Sequence, residues 1–262
     1  MQRGYALVTG ASSGIGVEIA RQLATRGYPL ILVARRKERL DELRAALQLA
    51  HGVDIAVFQQ DLSADGAAQA LYDAVQARQL PVAILVNNAG VGMAGAFLEM
   101  DMARVTRMFA LNMTSLTHLT QLFGRDMVKL GGGHILQVAS AAAFLPTPYV
   151  AAYAATKSYV LAFTEALRFE LKDTGVSITT LYPGITTTEF NEHADAKTPG
   201  AMALSILSSA QVADIAVRAL FARRRAVIPG FINKINAFFS SILPRGLIIF
   251  AAGTMMKRAN KP

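Results

Sequence analysis

Seven short apolar runs recur along the chain with helix-length stretches between them, and this alternation limits the fold more than any other feature. The runs are Ala6–Thr9, Leu30–Ala34, Ile55–Phe58, Ala83–Val86, His134–Val138, Ser177–Leu181 and Ala226–Ile228. Between them lie helical patterns at residues 14–26, 37–50, 64–79, 100–130, 150–173 and 211–222. Each run is nearly all apolar rather than alternating, as strands covered on both faces require. Strand–helix repetition of this kind predicts an α/β fold, a doubly wound parallel seven-stranded sheet with helices on both faces. No Pro/Gly/Ser linker or internal repeat interrupts the pattern, so residues 1–229 are read as one domain and 230–262 as a helical tail. A loop rich in Thr, Glu and Asn at 185–208 follows a strand at the carboxyl edge, where open α/β sheets bind ligands.

A chain of 262 residues that is 53% hydrophobic and 17% charged has ample apolar surface to bury, which excludes disorder. The absence of cysteine excludes disulfide scaffolds, thiolate zinc sites and cysteine nucleophiles, and permits a reducing compartment. The four histidines, His51, His118, His134 and His193, share no ligand spacing, so no metal is expected. The first strand begins within a few residues of Met1, leaving no room for a signal peptide, and a cytoplasmic location is expected.

The formal charge of +8 is unevenly placed. Residues 1–214 carry 17 Lys and Arg against all 18 Asp and Glu, whereas residues 215–262 carry nine cations and no acid. Those cations are interleaved with Phe, Ile, Leu and Met, which suits a membrane surface better than a nucleic-acid groove, and no nucleic-acid partner is expected.

Directly after the first run comes Thr9-Gly10-Ala11-Ser12-Ser13-Gly14-Ile15-Gly16, opening a helix. Gly10 and Gly14 permit a tight turn and close backbone approach, and Gly16 lets the helix pack on the strand. Ser12, Ser13, Gly14 and Ile15 then present free N–H groups and a partial positive charge to a diphosphate. At the end of the second run stands Val33-Ala34-Arg35-Arg36-Lys37. An acid there would accept hydrogen bonds from a ribose 2′-hydroxyl; Arg35 and Arg36 instead suit a 2′-phosphate, which predicts NADP(H) rather than NAD.

Ser140 follows the fifth run, and Tyr153 and Lys157 lie four apart on one face of the next helix. With the glycine turn and Asn87-Asn88-Ala89-Gly90 after the fourth run, these residues make the chain resemble the short-chain dehydrogenase/reductase family in its single-domain form. The resemblance covers residues 4–229 in the family's order: the turn at 9–16, a basic residue after the second strand, Asp61-Leu62, the motif at 87–90, Asn112, Ser140, Tyr153 with Lys157, and Pro183-Gly184 with Thr188. The phrase Val-Ile-Pro-Gly at 227–230 before a basic apolar tail resembles a DltE-like branch.

The resemblance implies a Rossmann-type fold and hydride transfer between nicotinamide and a secondary alcohol/ketone pair. It also implies roles for the quoted residues. Tyr153 exchanges a proton with the substrate oxygen, its phenolate stabilised by Lys157, which also binds the nicotinamide ribose. Ser140 holds the substrate oxygen. Asn112 marks either a local helix kink or a water-mediated proton relay to Lys157. Asn88, Ala89 and Gly90 border the adenosine and Asp61 and Leu62 the adenine, while Pro183, Gly184 and Thr188 border the nicotinamide. Asn87 is either part of this site or a structural strand cap, and Met93 and Met202 are candidate pocket walls. A homodimer or homotetramer is expected by the same resemblance.

From Phe231 the apolar residues Phe231, Ile232, Ile235, Phe238, Phe239, Ile242 and Leu243 form one helical stripe opposed by Asn233, Lys234, Asn236, Ser240 and Ser241. A second helix is expected over Leu247–Met256 after Pro244. Residues 231–256 either pack on a subunit or make peripheral contact with the inner face of a membrane and form a greasy entrance for a hydrophobic carbonyl or alcohol substrate. The rival to an enzyme is a membrane-associated NADP(H)-binding sensor without relevant turnover, against which the complete Ser140, Tyr153 and Lys157 set speaks.

Overall fold

The computed structural model describes residues 4–187 and 206–259. Six strands come first: β1 (Tyr5–Thr9), β2 (Leu30–Ala34), β3 (Ile55–Gln59), β4 (Val82–Asn87), β5 (Gly133–Val138) and β6 (Val176–Leu181). Two short strands, β7 (Thr186–Thr187) and β8 (Leu207–Ser208), pair with each other, and β9 (Ala226–Val227) completes the main sheet. That sheet is parallel throughout in the order β3-β2-β1-β4-β5-β6-β9. The seven expected runs agree with these strands to within one residue at each end.

Their composition follows from having two covered faces. Ala6, Val8, Leu30 and Leu32 join a core with Ile19 and Leu23 of α1 (Gly14–Thr25), Leu40 and Leu47 of α2 (Lys37–His51), and the later helix below. The alternate residues Leu7, Ile31 and Val33 face Leu71 and Val75 of α3 (Ala67–Ala77). On that side the chain continues through α4 (Met102–Phe109) to α5 (Leu116–Lys129), whose Phe123 and Met127 are fully buried. The long α6 (Ala151–Glu170) follows, and α7 (Ser209–Phe221) returns to the first face with Val217 and Leu220. Because successive strand side chains point to opposite faces, neither parity can be polar. The tail forms α8 (Phe231–Ile242) and α9 (Arg245–Ala259), the second longer than the expected Leu247–Met256.

The expected single helix over 100–130 is three pieces. Between α4 and α5 the backbone takes a π-helical course at Ala110–Ser115, which carries Asn112 inward to zero exposure. Polar groups at its amide account for this: Oδ1 accepts from Val91 N (3.0 Å), and Nδ2 donates to Val91 O (2.9 Å) and Thr156 Oγ1 (3.1 Å).

The strand order reverses between β1 and β4, and one hydroxyl locks that seam. Thr9 Oγ1 donates to Val86 O at 3.1 Å and accepts from Asn88 N and Ala89 N, each at 3.0 Å. Asn88 Nδ2 donates to Thr9 O at 2.9 Å, tying the two turns together. The nearly isosteric Thr9→Val should leave the Ala89 amide without its acceptor, Asn88 N keeping the Val86 carbonyl at 3.1 Å, and lower unfolding free energy by about 2 kcal/mol, read as a reduced urea midpoint with unchanged slope. An unchanged midpoint would show that the seam does not need the hydroxyl.

Candidate active site

The glycine turn leaves β1 with Gly10 at φ +68° and Gly14 at φ +57°, conformations that L side chains rarely adopt. Space is short as well, since a Cβ at Gly10 would stand 2.8 Å from Asn88 Nδ2. Gly16 is buried beneath Gly10 and serves helix packing. At the start of α1 no side chain caps the free amides and no acid lies in the first turn. A helix N-terminus left this way, with Ser12, Ser13, Gly14 and Ile15 on a cavity wall, is shaped for an anion.

Arg36 reaches back over that turn. Its Nε and one terminal nitrogen donate to Ser12 Oγ at 3.3 and 3.2 Å. Arg35 is exposed at the cavity edge, with its carbonyl taken by Gln59 Nε2 at 3.1 Å. Lys37 turns away to an ion pair with Asp41. Across the cavity stand Asp61 and Leu62. Against burial, which would raise it, hydrogen bonds from the Ser63 hydroxyl and amide hold the Asp61 carboxyl below its ordinary value, with Arg35 and Arg107 adding to the pull.

The second half of the site hangs on β5 and α6. Ser140 stands two residues beyond the end of β5, and its Oγ accepts from Ala142 N at 3.1 Å, capping the turn Ala141–Phe144. The following loop passes through Tyr149 at φ +66°, a left-handed conformation unusual for an aromatic residue, and the Tyr149 carbonyl accepts from Gly95 N at 2.7 Å. This pinned bend delivers α6, one turn of which carries Tyr153 and Lys157. The Ser140 hydroxyl hydrogen-bonds the Tyr153 phenol, and Lys157 Nζ lies 5.8 Å from the Tyr153 ring centroid. Lys157 is 4% exposed and donates to Val138 O at 2.9 Å. Gly90 faces it, for a Cβ there would come within 3.4 Å of Nζ.

Burial pushes the Tyr153 phenol up to about 12, with Ser140 pulling the other way, and the Lys157 ammonium down to about 8. Burial is the main cause of both shifts, since it penalises the charged form of each group. At neutral pH the phenol therefore holds its proton, the form a reduction consumes, and the lysine keeps its charge.

One cavity of about 1230 Å³ joins these parts. Of the residues singled out in the sequence, Gly10, Ser12, Ser13, Gly14, Ile15, Arg35, Arg36, Asp61, Leu62, Asn88, Ala89, Gly90, Met93, Ser140, Tyr153, Lys157, Pro183 and Gly184 line it. Gly16 and Asn112 do not. Asn112 stands behind the wall as a clamp between Val91 and Thr156, so its amide is already engaged. Asn87 is the strand cap of the two alternatives: it is 3% exposed and donates to Thr120 Oγ1 at 2.9 Å. Thr188, Met202 and His193 lie outside the described residues. Among those described, no group of three His, Asp or Glu could hold a metal ion.

The sequence reading missed Phe144, Leu145 and Val150, which line the substrate end, and Asn233 and Asn236 of α8, which close it. The sequence places the asparagines only opposite the apolar stripe, and no pattern in the chain marks them as cavity residues. Ile232, Phe239, Leu243, Leu247, Ile248 and Met256 complete an apolar wall there.

With the geometry in hand, comparison with known proteins is decisive. The profile of the short chain dehydrogenase family matches residues 4–199. This chain belongs to the short-chain dehydrogenase family. Membership carries oxidoreduction with a nicotinamide cofactor as its reaction class; the DltE-like branch rests only on residues 227–230 and the basic apolar tail after them. A short-chain dehydrogenase from Sphingobium yanoikuyae, solved in complex with NADPH, is 31% identical with a TM-score of 0.82, covering 94% of this chain and 95% of that one. The bulky-bulky ketone specific alcohol dehydrogenase from Comamonas testosteroni is 27% identical with a TM-score of 0.78, covering 94% and 96%. A very-long-chain 3-oxoacyl-CoA reductase of Anas platyrhynchos is 31% identical over 194 residues, 72% of this chain but only 61% of that protein's length.

The lowered Lys157 value fixes the sign of a pH effect in the nucleotide-free protein. Between about 8, where folded Lys157 titrates, and 10.5, its ordinary value, the unfolded chain holds a proton that the folded one has released, so stability should rise with pH. The urea midpoint should climb from pH 8 to 10 in the wild type and flatten in Lys157→Met. A wild-type midpoint level across that window, or a variant that climbs equally, would contradict the buried-ammonium assignment.

Proposed function

We propose that this protein is an NADP(H)-dependent oxidoreductase that moves a hydride between nicotinamide and a hydrophobic secondary alcohol/ketone pair. The observation that carries the reading is the placement of Ser140, Tyr153 and Lys157 on one wall of a cavity that also holds the glycine turn, Arg35 and Arg36. In the direction of reduction, the Ser140 hydroxyl holds the carbonyl oxygen and Tyr153 donates its proton to that oxygen. The nicotinamide supplies the hydride to the carbonyl carbon when bound. Lys157 steadies the phenolate left on Tyr153 and holds the ribose; Asn112 keeps Val91 and Thr156 in register behind it.

The uncapped α1 amides and the glycine turn hold the diphosphate, while Arg35 and Arg36 meet a 2′-phosphate at the end of β2, where no acid stands to accept from a 2′-hydroxyl. The NADPH bound to the Sphingobium relative supports this choice. A hydrophobic substrate is supported by the tail's apolar wall, and by relatives named for bulky ketones and for very-long-chain 3-oxoacyl-CoA.

Titration of nicotinamide fluorescence should show NADPH binding more tightly than NADH, with Arg35→Asp weakening NADPH by about 2 kcal/mol, roughly thirtyfold. Equal affinity for the two nucleotides would remove the 2′-phosphate role from the arginines. In a screen of lipophilic ketones, Tyr153→Phe should cut kcat by about a thousandfold while leaving NADPH affinity within a few-fold. Nucleotide binding with no turnover on any such ketone would favour the sensor reading, and a fully active Tyr153→Phe would remove the proton-transfer role.

A further inference from the structure

The first tail helix turns the ordinary amphipathic arrangement inside out. In α8 it is Asn233 that faces the fold: it is 6% exposed, donates Nδ2 to Pro229 O at 2.8 Å, and lies over Gly184, where any Cβ would collide with its amide. Phe231, Ile235, Phe238 and Ile242 share the opposite face at offsets 0, 4, 7 and 11, and are 76%, 37%, 62% and 58% exposed. In α9, Gly253 rests on Pro148 and Met256 is buried, while Phe250 stands outward at 76%. An apolar ridge of this length on a water-facing surface marks an interaction site.

Three further facts select its occupant. Residues 215–262 carry nine cations and no acid, and Lys234, Arg245 and Lys257 are exposed on the two tail helices themselves. A second copy would set two such basic tails against each other, whereas an anionic surface complements them. The helices have 12 and 15 residues, about 18 and 22 Å at 1.5 Å per residue, too short to cross a hydrocarbon core and suited to lying along it. Finally, Phe239 and Leu243 line the cavity and are also 47% and 45% exposed, so the apolar wall of the site is continuous with the ridge.

We propose that α8 and α9 dock this protein on an anionic phospholipid bilayer, with Phe231, Phe238, Ile242 and Phe250 inserted below the headgroups. The docking is independent of the reaction assigned above and is tested without it. Full-length protein is sedimented with vesicles of mixed phosphatidylglycerol and phosphatidylcholine, and with phosphatidylcholine alone. The wild type should pellet with the anionic vesicles and be released by salt. The triple variant Phe231→Ser/Phe238→Ser/Phe250→Ser, none of whose positions lines the cavity, should lose on the order of a hundredfold in vesicle partition. Its thermal unfolding by circular dichroism shows whether it is folded. Lys234→Glu/Arg245→Glu, which alters only exposed charges, should lose about tenfold on anionic vesicles and provides a second reading. Absence of pelleting with anionic vesicles overturns the proposal, as does a folded serine variant, or a charge variant, that binds like the wild type. A wild-type dimer that does not bind vesicles and is dissociated by the serine substitutions overturns it in favour of a second copy as occupant.

Discussion

The hydroxyl of Thr9 is the contact on which the rest of the site depends. Where β1 and β4 diverge, their backbone groups lose strand partners, and a buried amide left unpaired costs as much as a lost hydrogen bond. Thr9 satisfies three such groups at once, and Asn88 returns the favour to the Thr9 carbonyl. Two turns that would otherwise part are thereby held against each other: the glycine turn that ends at α1 and the Asn88–Gly90 turn that faces Lys157. The diphosphate and nicotinamide ends of the proposed cofactor site are thus set by one seam, and Gly10 is small because the Asn88–Ala89 segment meeting it leaves no room for a Cβ.

On the far side of that seam the structure carries a cost that folding alone would not select. Lys157 is nearly fully buried and donates to the Val138 carbonyl, and burial destabilises its ammonium. A buried hydrophobe would serve the fold better at that position. Groups shifted by burial and aimed into a cavity are instead a signature of chemistry. Tyr153 is shifted in the opposite sense, toward its neutral form. One environment therefore sets a protonated phenol beside a still-charged amine at neutral pH, the pairing a proton donor to a carbonyl needs.

The sheet was legible because its strands are covered twice, and Leu7, Ile31 and Val33 must be as apolar as Ala6, Leu30 and Leu32. Ser140, Tyr153 and Lys157 were legible because helical spacing fixes which residues share a face. The π-helical stretch at Ala110–Ser115 was not, since the cause lies in the Val91 backbone and Thr156, distant in sequence. The shifts of Tyr153 and Lys157 were not legible either, because they follow from how much water the surrounding walls remove rather than from spacing. Phe144, Leu145 and Val150 belong to the site because the left-handed bend at Tyr149 folds their loop over it.

The tail shows a more general limit. Periodicity reveals that α8 has an apolar and a polar face, but it does not say which face meets the protein. In a chain folding alone in water the apolar face would turn inward, burying several large side chains worth about 2 kcal/mol each. Here Asn233 donates to the Pro229 carbonyl and its amide fills the notch left by Gly184. Asn233 therefore takes the inward position, and Phe231, Ile235, Phe238 and Ile242 on the opposite side are left outward. The outward ridge is the observation from which the membrane-docking proposal starts, and the basic residues beside it favour an anionic surface over a second basic tail.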